Sequence, residues 1–350
     1  MQRPAPYGVE KTAAWGRLTK LGYHLAAAQQ QGCCSKHEVK LVIGTNNFGG
    51  RLDNVDEALV TLAAQGVTEL DVARAYNGGA TEESLGLALR KTNAAFTIAT
   101  KTHFNQLGYS RVKNDCAKSL KALGRESVDI YYLHSPDGAA TLTETLQAIN
   151  ELYAEGKFKK FAISNFTAWQ TMQIIQLSKE HNWIQPKIYQ GGYSAIQRHA
   201  ERELLPLCRA HGISFYAYSP LARGLLTAKH KYDQPENQTH PFQEKFWTPS
   251  TFAALSSIAQ ACEEHGVSSV REAALRWLRF HSSLSVRARA AVCRCYCLMS
   301  AVALLHGAGG GGRCRDPGGV SECRSTFSAT HSAHNLSFSL HFSCCAPKML

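Results

Sequence analysis

The sequence predicts an α/β fold of the (β/α)8 TIM-barrel class, incomplete at its eighth βα unit. Short apolar runs rich in β-branched and aromatic residues alternate with helical stretches between positions 39 and 284. That alternation implies parallel strands joined by right-handed crossovers, with no hairpin signal between them. Polar residues also stand at or near the C-terminal ends of successive strands: Asp71, Lys101, His134, Asn165, Gln190 and Tyr218. In a closed barrel those ends converge on one face. An open doubly wound sheet would gather function at one switch point instead.

The elements follow in order. Residues 39–43 read as a strand closing on Gly44-Thr45, and 55–64 as a helix stopped by Gly66. A short strand at 69–72 precedes a helix at 82–90, with Thr81 placed as its N-cap. The strand 96–100 ends at Lys101, and the helix 111–123 is stopped by Gly124. The strand 128–133 ends at His134. In the following helix Leu142, Leu146, Ile149, Leu152 and Tyr153 share one face. Strand 161–163, helix 169–179, strand 188–190, helix 201–209 and strand 214–218 come next, then helices at 252–265 and 272–280. These are seven strands. Beyond Phe280 no eighth strand with a closing helix is legible; 301–305 is the nearest strand-like run.

Composition narrows the class. The chain has 350 residues, 44% hydrophobic and 19% charged, which is globular composition. No run reaches the roughly 18 uncharged apolar residues of a membrane helix. The net charge of +11 could suggest nucleic acid. However, residues 41–284 carry 25 basic and 23 acidic side chains, so the basicity belongs to the two ends. Neither a nucleic-acid nor a membrane partner is expected. Only Cys116, Cys208 and Cys262 of the 12 cysteines fall in the body, which fits a reducing, cytoplasmic compartment. The domain division is a leader at 1–38, a barrel at 39–284 and a Cys/Gly/Ser-rich tail at 285–350, the two ends lacking structure. The leader is Ala/Gln-rich and poor in acid, weakly like an organelle-targeting segment.

Asp71, Tyr76, Lys101 and His134 suggest chemistry as a set. A phenol ionises near a pH of about 10 and is a poor acid at neutral pH. A neighbouring ammonium stabilises its anion, and a carboxylate holds that ammonium in place. A histidine on the next strand end can hydrogen-bond a substrate oxygen. Taken singly each residue has a bland reading as a cap, loop aromatic, surface lysine or turn residue. Four suited residues on successive junctions make coincidence a poor account.

Residues 39–284 resemble the aldo-keto reductases, especially the aflatoxin-aldehyde and succinic-semialdehyde reductase branch. The matching stretches are Leu-Asp-Val-Ala-Arg-Ala-Tyr at 70–76, Ile-Ala-Thr-Lys at 98–101 and Asp-Ile-Tyr-Tyr-Leu-His at 129–134. Further ones are Ile-Ser-Asn-Phe at 163–166, Tyr-Gln-Gly-Gly-Tyr-Ser-Ala-Ile-Gln-Arg at 189–198 and Phe-Tyr-Ala-Tyr-Ser-Pro-Leu-Ala-Arg-Gly-Leu-Leu-Thr at 215–227. The resemblance implies a barrel that binds NADPH and reduces small aldehydes or ketones, in a homodimer. It implies Tyr76 as general acid, Lys101 and Asp71 as its tuning pair, and His134 as the residue orienting the carbonyl. Ser164, Asn165 and Gln190 match positions that hold the nicotinamide carboxamide, and Tyr218 matches the aromatic that stacks on its ring. Ser219, Leu221 and Gly224 match the pyrophosphate loop, where Arg223 replaces the glycine usual in the branch; Gly44, Thr45 and Asp71 complete the cofactor set.

The end of the chain departs from the family. Its eighth strand and following helix carry a Gly-Ala/Ser-Ser, then Glu-Gln-Leu…Asn signature that grips the adenosine 2′-phosphate, and that signature is absent here. The tail has the character of translated non-coding sequence. Two other readings therefore stay open: a catalytically impaired product without the adenosine-phosphate site, and a binding module like the family's channel subunits. Gly307–Gly312 fits G-x-G-x-x-G only formally, since no helical pattern follows. Cys293, Cys295 and Cys297 lack zinc-knuckle spacing, so no metal site is expected.

Overall fold

Each barrel strand must bury both faces, one against the helices and one in the barrel lumen. Residue types follow that demand. The computed structural model describes residues 40–50, 52–231, 233–234, 244–282, 290–294, 326–332 and 335–341. Eight parallel strands close a ring in chain order: β1 Lys40–Gly44, β2 Glu69–Asp71, β3 Thr97–Lys101, β4 Val128–Leu133, β5 Phe158–Ser164, β6 Ile188–Gly192, β7 Ser214–Tyr218 and β8 Ala290–Arg294. The helices are α1 Val55–Ala64, α2 Ala80–Thr92, α3 Tyr109–Leu123, α4 Leu142–Ala154, α5 Ala168–Glu180, α6 Leu204–Ala210, α7 Pro249–Glu264 and α8 Val270–Arg276. β9 Thr326–Ser332 and β10 Asn335–His341 form a separate antiparallel pair.

Alternation along β4 shows how the layers form. Ile130 and Tyr132 enter the lumen with Val42, Ala99, Ala162, Ile188 and Tyr216. Tyr131 and Leu133 face the helix layer, in one cluster with Leu146, Ile149 and Leu152 of α4. Register pairs large residues with small ones in the lumen: Ala99 opposes Ile130, and Tyr132 opposes Ala162. The same register lines up the C-terminal ends, with Gly44 opposite Asp71, Lys101 opposite Tyr132, Ser164 opposite Gln190 and Gly192 opposite Tyr218.

The barrel is the expected class, with its eighth unit reduced. The expected loss of the eighth strand is corrected. Ala290–Arg294 lies between β7 and β1 and closes the ring. It went unread because Ala-Ala-Val-Cys-Arg is short and has one β-branched residue. No helix follows it among the described residues, so the eighth unit is a strand without its helix. The tail read as unstructured thus contributes β8 and the β9–β10 pair. The leader, 301–305 and the glycine run at 307–312 lie outside the described residues.

Three local expectations also change. Gly79, not Thr81, caps α2; Thr81 lies inside the helix, and its hydroxyl donates to the Phe48 carbonyl. The helix expected over 201–209 starts at Leu204, after a 3-10 turn at His199–Glu201. Pro206 explains this, because a proline has no N–H for an earlier helical start and clashes one turn back. Tyr153 sits at the edge of the apolar face of α4, 42% exposed and against Phe158.

Two predictions follow from this packing. A Cβ on Gly86 of α2 would lie 2.4 Å from the Ala122 carbonyl oxygen of α3. Gly86→Ala should cost about 1–3 kcal/mol in urea unfolding, because that backbone cannot yield locally. The thiols of Cys116 and Cys208 are buried, and burial pushes both up to about 12. In native protein at pH 8 they should resist iodoacetamide, and should label only after unfolding, as read by peptide mass mapping.

Candidate active site

The rim at the C-terminal strand ends carries a buried ion pair. Asp71 ends β2 and Lys101 ends β3, with 1% and 0% exposure. The Lys101 ammonium donates to Asp71 Oδ2 at 2.6 Å and to the Val72 carbonyl at 2.9 Å. The other carboxylate oxygen of Asp71 accepts from Gln190 Nε2 at 2.9 Å. A buried charge is tolerated only when paired and hydrogen-bonded, and here both partners are. The strands force this meeting. Asp71 pairs in register with Ala99, two residues before Lys101 on the same strand, so the two side chains rise side by side.

Tyr76 follows β2 in a 3-10 turn, Tyr76–Gly79, and is half-buried. Its ring centre lies 5.2 Å from the Lys101 ammonium and 6.1 Å from the His134 ring, edge to face. Among the described residues its hydroxyl forms no hydrogen bond. His134 follows β4 and is 4% exposed. Its backbone N–H donates to Thr102 Oγ1, and its Nδ1 lies 3.1 Å from the Thr102 carbonyl. A carbonyl only accepts, so Nδ1 carries a proton there. The other ring nitrogen donates only when the ring is an imidazolium.

The expected cofactor residues occupy the same rim. Asn165 has φ +67, a conformation asparagine tolerates better than most residues. Its amide donates to the His134 carbonyl and to Ser164 Oγ, and its oxygen accepts from the Tyr218 hydroxyl. Thr45 follows Gly44 at the end of β1, and its hydroxyl donates to the Asp71 carbonyl. Beyond β7, Ser219, Ala222 and Arg223 all have positive φ, and Gly224 lies at φ +104. Ser219, Leu221 and Gly224 are buried, and Arg223 is half-buried. The Ser219 hydroxyl has no partner among the described residues.

Sequence reasoning missed several neighbours. Thr102, fully buried, orients His134 from both its hydroxyl and its carbonyl. The Phe104 ring lies over His134 at 3.7 Å between centroids while staying 42% exposed. Arg74, Glu82 and Thr100 form a hydrogen-bonded group behind Tyr76. Arg74 and Thr100 fall inside the matching stretches 70–76 and 98–101, but nothing in the sequence pairs them with Glu82. Among the described residues no three His, Cys, Asp or Glu side chains gather as a metal site, and no helix is long and apolar enough to cross a membrane.

Comparison with known proteins identifies the family. Residues 40–288 match the aldo/keto reductase family. An aldo-keto reductase of Pseudocercospora fijiensis is 42% identical over 65% of this chain and 81% of its own. Human aflatoxin B1 aldehyde reductase member 4 is 38% identical over 69% of this chain and 80% of its own. The crystal structure of a thermostable aldo-keto reductase with the inhibitor epalrestat superposes with a TM-score of 0.58 at 23% identity, covering 79% of this chain and 93% of that one. The likeness to that structure shows the fold alone. The match to the family spans most of the chain, and this protein belongs to the aldo/keto reductase family of oxidoreductases.

Proposed function

We propose that this chain reduces aldehydes or ketones to alcohols with NADPH, and that Tyr76 is the proton donor. The single observation that carries the reading is the buried Asp71–Lys101 pair beside a tyrosine whose hydroxyl has no hydrogen-bond partner among the described residues. The name of the human relative favours aldehydes as substrates.

NADPH supplies a hydride to the carbonyl carbon when bound. The residues of this chain manage the oxygen. As negative charge develops there, Tyr76 gives up its phenolic proton, and the Lys101 ammonium stabilises the charge left on the phenol oxygen. Lys101 uses two of its three N–H groups on Asp71 and Val72, leaving one for that oxygen. Asp71 keeps the buried ammonium paired. His134, as imidazolium, donates a hydrogen bond to the same carbonyl oxygen and fixes the approach of the carbon. Phe104 covers His134 and limits water beside it.

The rim residues fit the nicotinamide and pyrophosphate ends of the cofactor. The buried Ser219 hydroxyl, without a partner among the described residues, is a donor suited to a phosphate oxygen, and Gly224 leaves the backbone open to close approach. Asn165 and Gln190 would exchange their present partners for the nicotinamide amide, and Tyr218 would lend its ring face. Gly44, Thr45 and Ser164 would line the same end, while Leu221 and Arg223 would flank the phosphates. We also place the protein in the cytoplasm, since its three body thiols are buried and unpaired by disulfides. A homodimer and small-molecule substrates rest on the branch resemblance alone.

A second reading is favoured by one observation, the missing adenosine-phosphate signature after residue 284. In it the proton-donating centre is intact but NADPH binds weakly, because charge-assisted phosphate contacts are lost. Tyr76→Phe tests the main reading. It should reduce turnover of an aromatic aldehyde by at least about a hundredfold while leaving NADPH affinity within about threefold. Retained turnover would refute Tyr76 as donor. Turnover in the wild type that is restored only at millimolar NADPH would select the second reading.

A further inference from the structure

We infer that Arg74, Glu82 and Thr100 form a brace that sets the position of Tyr76 relative to Lys101. The inference rests on the reductase reading for its kinetic consequence, and on the following geometry for its existence. Glu82 lies in the first turn of α2 and is 0% exposed. One of its oxygens accepts from Arg74 Nη1 at 2.6 Å, and the other accepts from Thr100 Oγ1 at 2.6 Å. Thr100 immediately precedes Lys101 on β3. Arg74 precedes Tyr76 by two residues. One carboxylate therefore ties the segment that carries the phenol to the strand that carries the ammonium.

Two further contacts make the tie short. The Arg74 backbone N–H donates to the Lys101 carbonyl, and the Tyr76 N–H donates to the Ala73 carbonyl. The guanidinium also lies across the last residue of the Tyr76 turn. A Cβ on Gly79 would stand 1.8 Å from Arg74 Nη2, and Gly79 has φ +104. Glycine is thus required there twice, by its backbone and by the cation packed on it. The Arg74 side chain is 17% exposed, so the pair is held in a region of weak screening, where geometry is stiff.

Among the described residues none of the three side chains hydrogen-bonds to the Tyr76 hydroxyl, so they act through the Tyr76 backbone as positioning residues. Displacing a reacting group by about 1 Å can cost on the order of a hundredfold in rate. The phenol is where that cost would fall, because it alone of the set sits on a turn rather than at a strand end.

The test uses the full chain with NADPH and 4-nitrobenzaldehyde. Arg74→Met should lower kcat by on the order of tenfold to a hundredfold, with aldehyde KM and NADPH affinity within about threefold. The solvent deuterium isotope effect on kcat should rise, since proton delivery becomes limiting. Arg74→Lys should recover most of kcat. An unchanged kcat, or a loss shared equally by KM and cofactor affinity, would overturn the brace. Should Arg74→Met fail to fold, Thr100→Val removes one arm with little change of shape and carries the same expectations. 3-Fluorotyrosine at position 76 gives a readout without turnover. Its fluorine resonance should be single in the wild type and shifted or split in Thr100→Val, and an unmoved resonance overturns the brace. A wild type that reduces no aldehyde defeats the reductase reading alone, and the fluorine spectrum then decides the brace.

Discussion

A lysine and an aspartate share the interior end of a barrel with almost no exposure, and the rest of the rim is arranged around that fact. Removing either partner would strand a buried charge, at a cost of about 3–5 kcal/mol. The pair is therefore coupled to the fold as well as to the chemistry. Its carboxylate is satisfied from two strands, by Lys101 of β3 and Gln190 of β6. Its ammonium is satisfied by Asp71 and by the first carbonyl beyond β2. The ring of strands brings these groups together across 119 positions of sequence.

Barrel register explains why so many polar groups meet there. Parallel strands in register end on one face, and side chains at those ends point at one another across the mouth. Below them the lumen is filled by Tyr132, Tyr216, Ile130 and small partners, so the mouth is a floor and not a channel. Above them lie loops tied by their own hydrogen bonds. The Asp137 carboxylate accepts from the Leu107 and Ala139 N–H groups, which hold its carboxyl below the usual carboxylate range. Loops fixed in this way can hold a phenol and an imidazole at constant distance.

Much of this was legible in the sequence because it follows local rules. The helices at 55–64 and 128–133's neighbour 142–154 obey apolar periodicity, and strand ends announce themselves by a polar residue after an apolar run. Asp71, Lys101 and His134 stand at such ends and Tyr76 in the turn that follows β2, and all four lie at one rim. What stayed hidden depends on distant partners. β8 has little strand character of its own, and only pairing with β7 and β1 defines it. Nothing in the sequence pairs Arg74 with Glu82, and Thr102 gives no sign that it orients His134. The early start expected for α6 overlooked Pro206, which was a local signal and could have been read.

The central claim is that the Asp71–Lys101 charge pair makes this rim a carbonyl-reducing centre. It is tested most directly by single-turnover oxidation of bound NADPH by 4-nitrobenzaldehyde, followed by absorbance, in the wild type and in Asp71→Asn. The variant keeps the size of the side chain and its hydrogen-bonding oxygen while removing the countercharge. With both chains shown to unfold cooperatively, a hydride-transfer rate lower by on the order of a hundredfold in the variant is the predicted result. Equal rates in the two chains would contradict the account.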